Sequence, residues 1–275
     1  MNIASSPVPS YRKPPIIEAV WSAQFSEMAW LLPSHAGLFW SLIREKFPLC
    51  QEQPPIAHVV ESDKLVAPQP SLIRWFDGPP PTRQWFLSAS ENELIQLQRD
   101  RLCCNWKRVG ATDIYPRYAH MGSLFEFAWN TLLRFVTDLQ KPMPEVDQCE
   151  MTYINHIDIG HGWDSIQQIG NVFPTINWNK TTAFLPPPKT LGARLTFDLP
   201  HLNGRLHVAL RHVVKADQTS ADAQVLLLEL TARGLPPRRD LPGLLQWFAA
   251  AREAIVRGFT ALTTPAMHEL WEREQ

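Results

Sequence analysis

The chain has 275 residues, 45% of them hydrophobic and 19% charged, enough apolar material for a sizeable core. Twenty-six basic against 27 acidic residues leave a formal charge of −1, which excludes a global field for nucleic acid or an anionic membrane. No basic segment followed by an apolar run opens the sequence and no stretch of 18 apolar residues occurs, so the expectation is a cytoplasmic protein with no membrane contact.

Residues 1–10 read as a flexible tail. Ile16 to Phe25 alternates like a strand, with Ile17, Ala19, Trp21 and Ala23 on one face and Glu18 and Ser22 on the other. Ser34 then caps an expected helix to Phe47. Candidate strands follow near His58–Glu61, Leu72–Phe76, Gln84–Ala89, Glu93–Arg99 and Leu102–Lys107. Helical spacing of Leu124, Ala128, Leu132, Phe135 and Leu139 predicts a long amphipathic helix over Gly122–Leu139.

The second half restarts with a strand at Glu150–Ile159 and a short helical piece near Asp164–Ile169. Ala193–Leu199 and Arg205–Val214 form a hairpin about Asn203-Gly204, and Gln224–Ala232 is the next strand. A last helix over Leu241–Leu262 is expected to turn Leu241, Leu245, Phe248, Ile255, Phe259 and Leu262 to the core. Both halves thus run strand, helix, antiparallel strands, long helix. The predicted class is α+β, with an antiparallel sheet packed by helices and two pseudo-equivalent halves at 11–146 and 147–275 in one compact unit.

The stretch from Leu94 to Val109 carries more polar detail than a solvated hairpin needs. Alternation puts Gln96, Gln98 and Asp100 on one face of its first strand, and Asn105 and Lys107 on one face of the return strand, opposite Leu102, Cys104 and Trp106. Gln96, Gln98, Arg99, Arg101, Asn105, Trp106 and Lys107 are therefore the predicted binding residues, with Arg108 adding to a positive patch that Asp100 dilutes. His156, Asp158 and His161 are weighed as metal ligands, but their spacing matches no zinc signature, and no metal or other cofactor is expected. His207, Arg211 and His212 with Arg194 and Arg205 make a second basic group. Glu18 stands as an isolated carboxylate in an apolar setting. Cys50, Cys103, Cys104 and Cys149 are too few and too irregularly spaced for a disulfide framework, and adjacent Cys103 and Cys104 point to opposite faces of a strand, which does not suit a shared metal. Phosphate loops, nucleophile elbows and Cys-x-x-Cys pairs are absent from the sequence, so no catalytic residue is named. Trp30, Trp163 and Trp178, lying in loops, are expected to be exposed interface markers among the eleven tryptophans.

Several pieces together resemble a sporadically distributed bacterial family of uncharacterised proteins. They are Tyr11-Arg12-Lys13-Pro14-Pro15-Ile16-Ile17-Glu18, Gln96-Leu97-Gln98-Arg99-Asp100-Arg101 with Asn105-Trp106, Tyr115-Pro116-Arg117-Tyr118, Tyr153-Ile154-Asn155, and Phe259-Thr260-Ala261-Leu262-Thr263 before Leu270-Trp271. The resemblance implies a cytoplasmic prokaryotic protein, often in mobile or accessory gene contexts, and no established activity. The functional expectation is a non-enzymatic binding or regulatory module for a protein partner, accessory or antitoxin-like in role. Nucleic-acid or nucleotide recognition through the hairpin stands second. An enzyme or small-ligand binder with a sheet–helix cavity near Glu18, Arg99 or the histidines stands third.

Overall fold

The computed structural model describes residues 7–61, 82–176, 184–186, 188–215 and 224–274. The described strands form one nine-stranded antiparallel sheet in the order β2-β3-β4-β5-β1-β6-β9-β8-β7. The first half supplies β1 (Ile16–Phe25), α1 (Pro33–Ile43), β2 (Leu49–Gln53), β3 (Arg83–Leu87), β4 (Glu93–Gln98), β5 (Arg101–Lys107) and α2 (Arg117–Asp138). The second supplies β6 (Val146–Asp158), β7 (Gly192–Leu199), β8 (Gly204–Val214), β9 (Gln224–Gly234), α3 (Leu241–Leu262) and α4 (Pro265–Leu270). The two halves meet where β1 pairs with β6, from Ile16 opposite Asn155 to Phe25 opposite Val146. The α+β class is present, and the order of elements is shared if the 3-10 helix Ile166–Asn171 after β6 is set against α1 after β1.

Period-two alternation divides the sheet into two faces. On one, Ala19, Trp21, Ala23 and Phe25 of β1 are fully buried beneath α2 and α3. Trp21 stacks on Phe248 of α3 at 4.7 Å and lies 5.0 Å from Tyr118 and 6.2 Å from Phe125, both of α2. Met121, Phe125, Ala128, Leu132 and Val136 give α2 its buried stripe. In α3 the buried residues are Leu244, Trp247, Phe248, Ala251, Ile255 and Phe259, while Leu241, Leu245 and Leu262 are only partly buried. The stripe expected for this helix does face the core, with Phe248, Ile255 and Phe259 inside it and Leu241, Leu245 and Leu262 packed against its margin; Asp240 is the N-cap, accepting a bond from the Gly243 N–H at 2.9 Å, with Pro242 in the first turn.

Other expectations are met or corrected by the structure. Ser34 does not cap α1: Pro33 begins the helix and Leu32 is its N-cap, with His35 Nδ1 accepting from the Leu32 N–H at 3.1 Å. His58–Glu61 is not a strand of the sheet. The hairpin expected from Ala193–Leu199 and Arg205–Val214 is present: β7 pairs with β8, residues 200–202 form a 3-10 turn between them, Asn203 takes the left-handed φ of 45°, and Leu199 pairs with Gly204. Gly204 is also required by crowding, since a Cβ there would lie 1.9 Å from the Arg233 carbonyl oxygen. Trp163 is not an exposed marker but 1% accessible, its indole N–H donating to Ile157 O at 3.1 Å, and Trp30 is half-buried against the core. Leu72–Phe76 and Trp178 lie outside the described residues.

Candidate functional site

The face of the sheet opposite the long helices is polar across its centre. Register aligns Gln24 of β1 with Arg101 of β5 and Gln148 of β6, Ser22 with Cys103 and Glu150, and Glu150 with Arg233 of β9. Gln24, Gln98, Arg101 and Gln148 are each no more than 5% accessible, so every amide and guanidinium here needs an internal partner.

That partner is the chain itself. Residues 54–61, following β2, cross this face as an extended strap held by its backbone. Gln98 accepts from the Ile56 N–H at 2.9 Å and donates to Ile56 O at 2.9 Å. Gln24 donates to Val59 O at 3.1 Å and accepts from the Val59 N–H at 3.3 Å. Gln148 donates to the same Val59 O at 2.6 Å and accepts from the Glu61 N–H at 2.8 Å. Three glutamines on three strands thus offer the amide geometry that a neighbouring strand would supply. Most residues of the strap, Val59 and Val60 among them, are exposed. His58 Nδ1 lies 3.0 Å from Asp100.

The strap ends in a charge cluster. Glu61 meets Arg205 at 3.1 Å, Arg233 at 3.3 Å and His207, while Glu150 meets Arg233 at 2.6 Å and Arg101 at 3.5 Å. Burial pushes the Glu61 carboxyl up, but the hydrogen bond and charge of His207, with Arg205 and Arg233, outweigh it and hold the carboxyl below its ordinary 4.5. A carboxyl depressed in the folded state adds stability above the unfolded pKa and loses it as pH falls through the folded value. The urea midpoint is therefore expected to drop on acidification below roughly pH 5 more steeply in the wild type than in Glu61→Gln. Parallel urea titrations of the two proteins check this.

A second network runs across four strands at the edge of the strap. Arg83 and the Trp85 indole donate to Gln96 Oε1 at 2.6 and 2.9 Å. Gln96 donates to Asn105 Oδ1 at 2.6 Å, and Asn105 donates to Glu18 Oε1 at 2.7 Å. Burial raises the Glu18 carboxyl above its ordinary value, opposed by the Asn105 bond and the Lys107 charge. Lys107 lies 5.7 Å from the Trp85 ring centroid.

The hairpin residues singled out in the sequence accordingly separate. Gln96, Gln98, Arg101, Asn105 and Lys107 share the open face, as their alternation requires. Trp106 points the other way into the core, 5.4 Å from Tyr115. Arg99 sits in the β4–β5 turn, donating to Leu31 O at 3.1 Å and pairing with Glu27 at 3.5 Å. The expected positive patch is dispersed, because Arg101 is internal and Arg99 is paired elsewhere. His156, Asp158 and His161 do not converge: His161 Nδ1 is near Ile159 O, Asp158 pairs with Lys215 at 2.8 Å, and among the described residues no three His, Cys, Asp or Glu side chains are grouped to hold a metal. Cys103 meets Ser22 at 3.4 Å on the open face, and Cys104 lies on the helix face; burial raises both thiols, Cys104 the more strongly. Glu61, Gln24, Gln148, Glu150 and Arg233 were not anticipated. Their sequence trace is slight: Gln24 and Gln148 fall on the polar parity of strands whose pairing was unknown.

No described helix is long and apolar enough to cross a membrane. No family model and no curated sequence matches the chain. Among solved structures, a Methanococcus jannaschii TBP aligns over 88% of this chain and 97% of that one, with 10% identity and a TM-score of 0.24. So loose a superposition carries no argument about function.

Proposed function

We propose that the protein is a non-enzymatic binding module whose open sheet face recognises an extended segment of a protein partner. The supporting observation is the strap, whose backbone is gripped from three strands by Gln24, Gln98 and Gln148. A face that reads main-chain amides suits polypeptide. Beyond the strap it offers half-buried Val20, Ile154 and Leu227 beside Glu18, Lys107 and Glu229, a mixed surface on which a second extended segment can lie. Nucleic acid is disfavoured by charge, because Arg101, Arg205 and Arg233 are matched by Glu61, Glu150 and Asp198.

A photo-crosslinking side chain at Ile154 is expected to capture one discrete protein in the native host, and the same group at exposed Ser123 on α2 is expected to capture none. Equal capture at both positions would remove the proposal. So would nucleic-acid binding at low salt that Lys107→Ala weakens.

A further inference from the structure

The chain has four tyrosines, Tyr11, Tyr115, Tyr118 and Tyr153, and all four line one cavity of about 320 Å³. It lies on the helix side of the sheet, between the segment preceding β1, the start of α2, strands β6 and β9, and the middle of α3. None of Glu18, Arg99, His156, Asp158 or His161 belongs to it, so the cavity expected near those residues lies elsewhere. Fully buried Leu230 and Ile255 are in its wall, and exposed Arg117 and Ala119 stand at its mouth. The volume is at the lower end of small-molecule sites.

The cavity is lopsided in charge. Its lining includes Arg117 and Arg252 and no carboxylate. Arg117 is committed to structure: it donates to Tyr11 O at 2.8 Å and Arg12 O at 3.2 Å, holding the N-terminal segment over the site, and it does so at a φ of 77°. Arg252 has no hydrogen-bond or carboxylate partner among the described residues, and its guanidinium lies 5.1 Å from the Tyr118 ring centroid. The start of α2 opens on the same space, with no side-chain cap at Pro116 and no acidic residue in its first turn. Phenol groups supply neutral donors: Tyr115 and Tyr153 hydroxyls are 3.2 Å apart, and Tyr11 bonds Thr260 at 2.8 Å. Burial holds all four hydroxyls above their ordinary value, Tyr115 the most, so they stay protonated at neutral pH. Ser10 and Asn155 are the other polar residues of the lining, and rings and aliphatic groups, among them Phe259 and Val256, make up the rest of the wall.

We propose that this cavity binds a small organic acid with a flat or extended apolar body, its carboxylate paired with Arg252 and its body packed among Tyr11, Tyr153 and Phe259. The cavity and the open face lie on opposite sides of the sheet, and neither role depends on the other. The apolar wall supplies area, the guanidinium supplies a charge-assisted bond in a partly desolvated place, and the absence of any lining acid leaves that charge to the ligand.

Ring-labelled tyrosine reads the site directly, since every tyrosine in the chain lines it. Titrating phenylbutyrate and octanoate to millimolar concentration is expected to shift tyrosine signals saturably, while phenylbutanol binds about tenfold more weakly. Arg252→Met, with an unchanged circular dichroism spectrum, is expected to weaken both acids about tenfold. Ala119→Trp, placed at the exposed mouth, is expected to block both. Failure of both acids to saturate overturns the proposal, as does unchanged binding in Arg252→Met or in Ala119→Trp. Crosslinking at Ile154 reports on the other face, so the two readings fail separately.

Discussion

Replacing Trp21 with alanine is expected to lower the free energy of unfolding by about 3–5 kcal/mol, the range for deleting a large buried aromatic side chain. Trp21 is 0% accessible and sits on β1, the strand that joins the halves through its pairing with β6. It is also the point where α2 and α3 converge, touching Tyr118 and Phe125 of one helix and stacking on Phe248 of the other. Its indole N–H has no hydrogen-bond partner, so the loss is one of packing and buried apolar area, with no polar group left stranded. Trp21→Phe, which keeps an aromatic ring against Phe248, is expected to lose less than half as much. Urea denaturation followed by circular dichroism measures both. Equal losses would mean that ring stacking contributes nothing beyond shape.

Arg101→Met is expected to cost about 3 kcal/mol, the lower end for breaking a buried charge pair, because Glu150 keeps Arg233 when Arg101 is removed. Arg101 is 3% accessible and donates to Gln24 Oε1 at 2.6 Å and to Ala57 O at 3.3 Å, besides pairing with Glu150. Its removal takes a donor from the strap and another from the glutamine that holds it. The same variant is therefore expected to show faster proteolysis within residues 54–61, as well as a lower urea midpoint. An Arg101 that served only an outside ligand would leave both measurements unchanged.

The role of Arg101 illustrates what a sequence can and cannot show. Alternation correctly put Gln96, Gln98, Asn105 and Lys107 on one face, which Arg101 shares, because period two is a property of the strand alone. Whether those groups face solvent, a partner or another part of the chain depends on pairing across long separations. Alternation does not carry that information. His58–Glu61 has the look of a strand because it is extended, yet its hydrogen bonds come from glutamine side chains and not from a neighbouring backbone. The bounds and the core-facing side of α3 were legible in its helical spacing, whereas its deeply buried Leu244, Trp247 and Ala251 were not singled out. Trp163 was misjudged because its place in a loop said nothing of the Ile157 carbonyl that awaits its N–H. The tyrosine cavity was not seen as a unit, although three of its segments, around Tyr11, Tyr115 and Tyr153, had been picked out as motifs.

The N-terminal wall of that cavity has a consequence for how the protein is made. Ser10, Tyr11, Arg12 and Lys13 are tied to Trp271, Glu272, Arg273 and Glu274 by backbone hydrogen bonds, a strand bridge and ion pairs, including partners 260 residues apart. During synthesis the tyrosine-bearing segment near the N-terminus must therefore wait, unsecured, until the residues that fasten it have left the ribosome. The cavity is a late product of translation, and a chain interrupted before residue 271 would carry all four tyrosines without the clasp that brings Tyr11 to the other three.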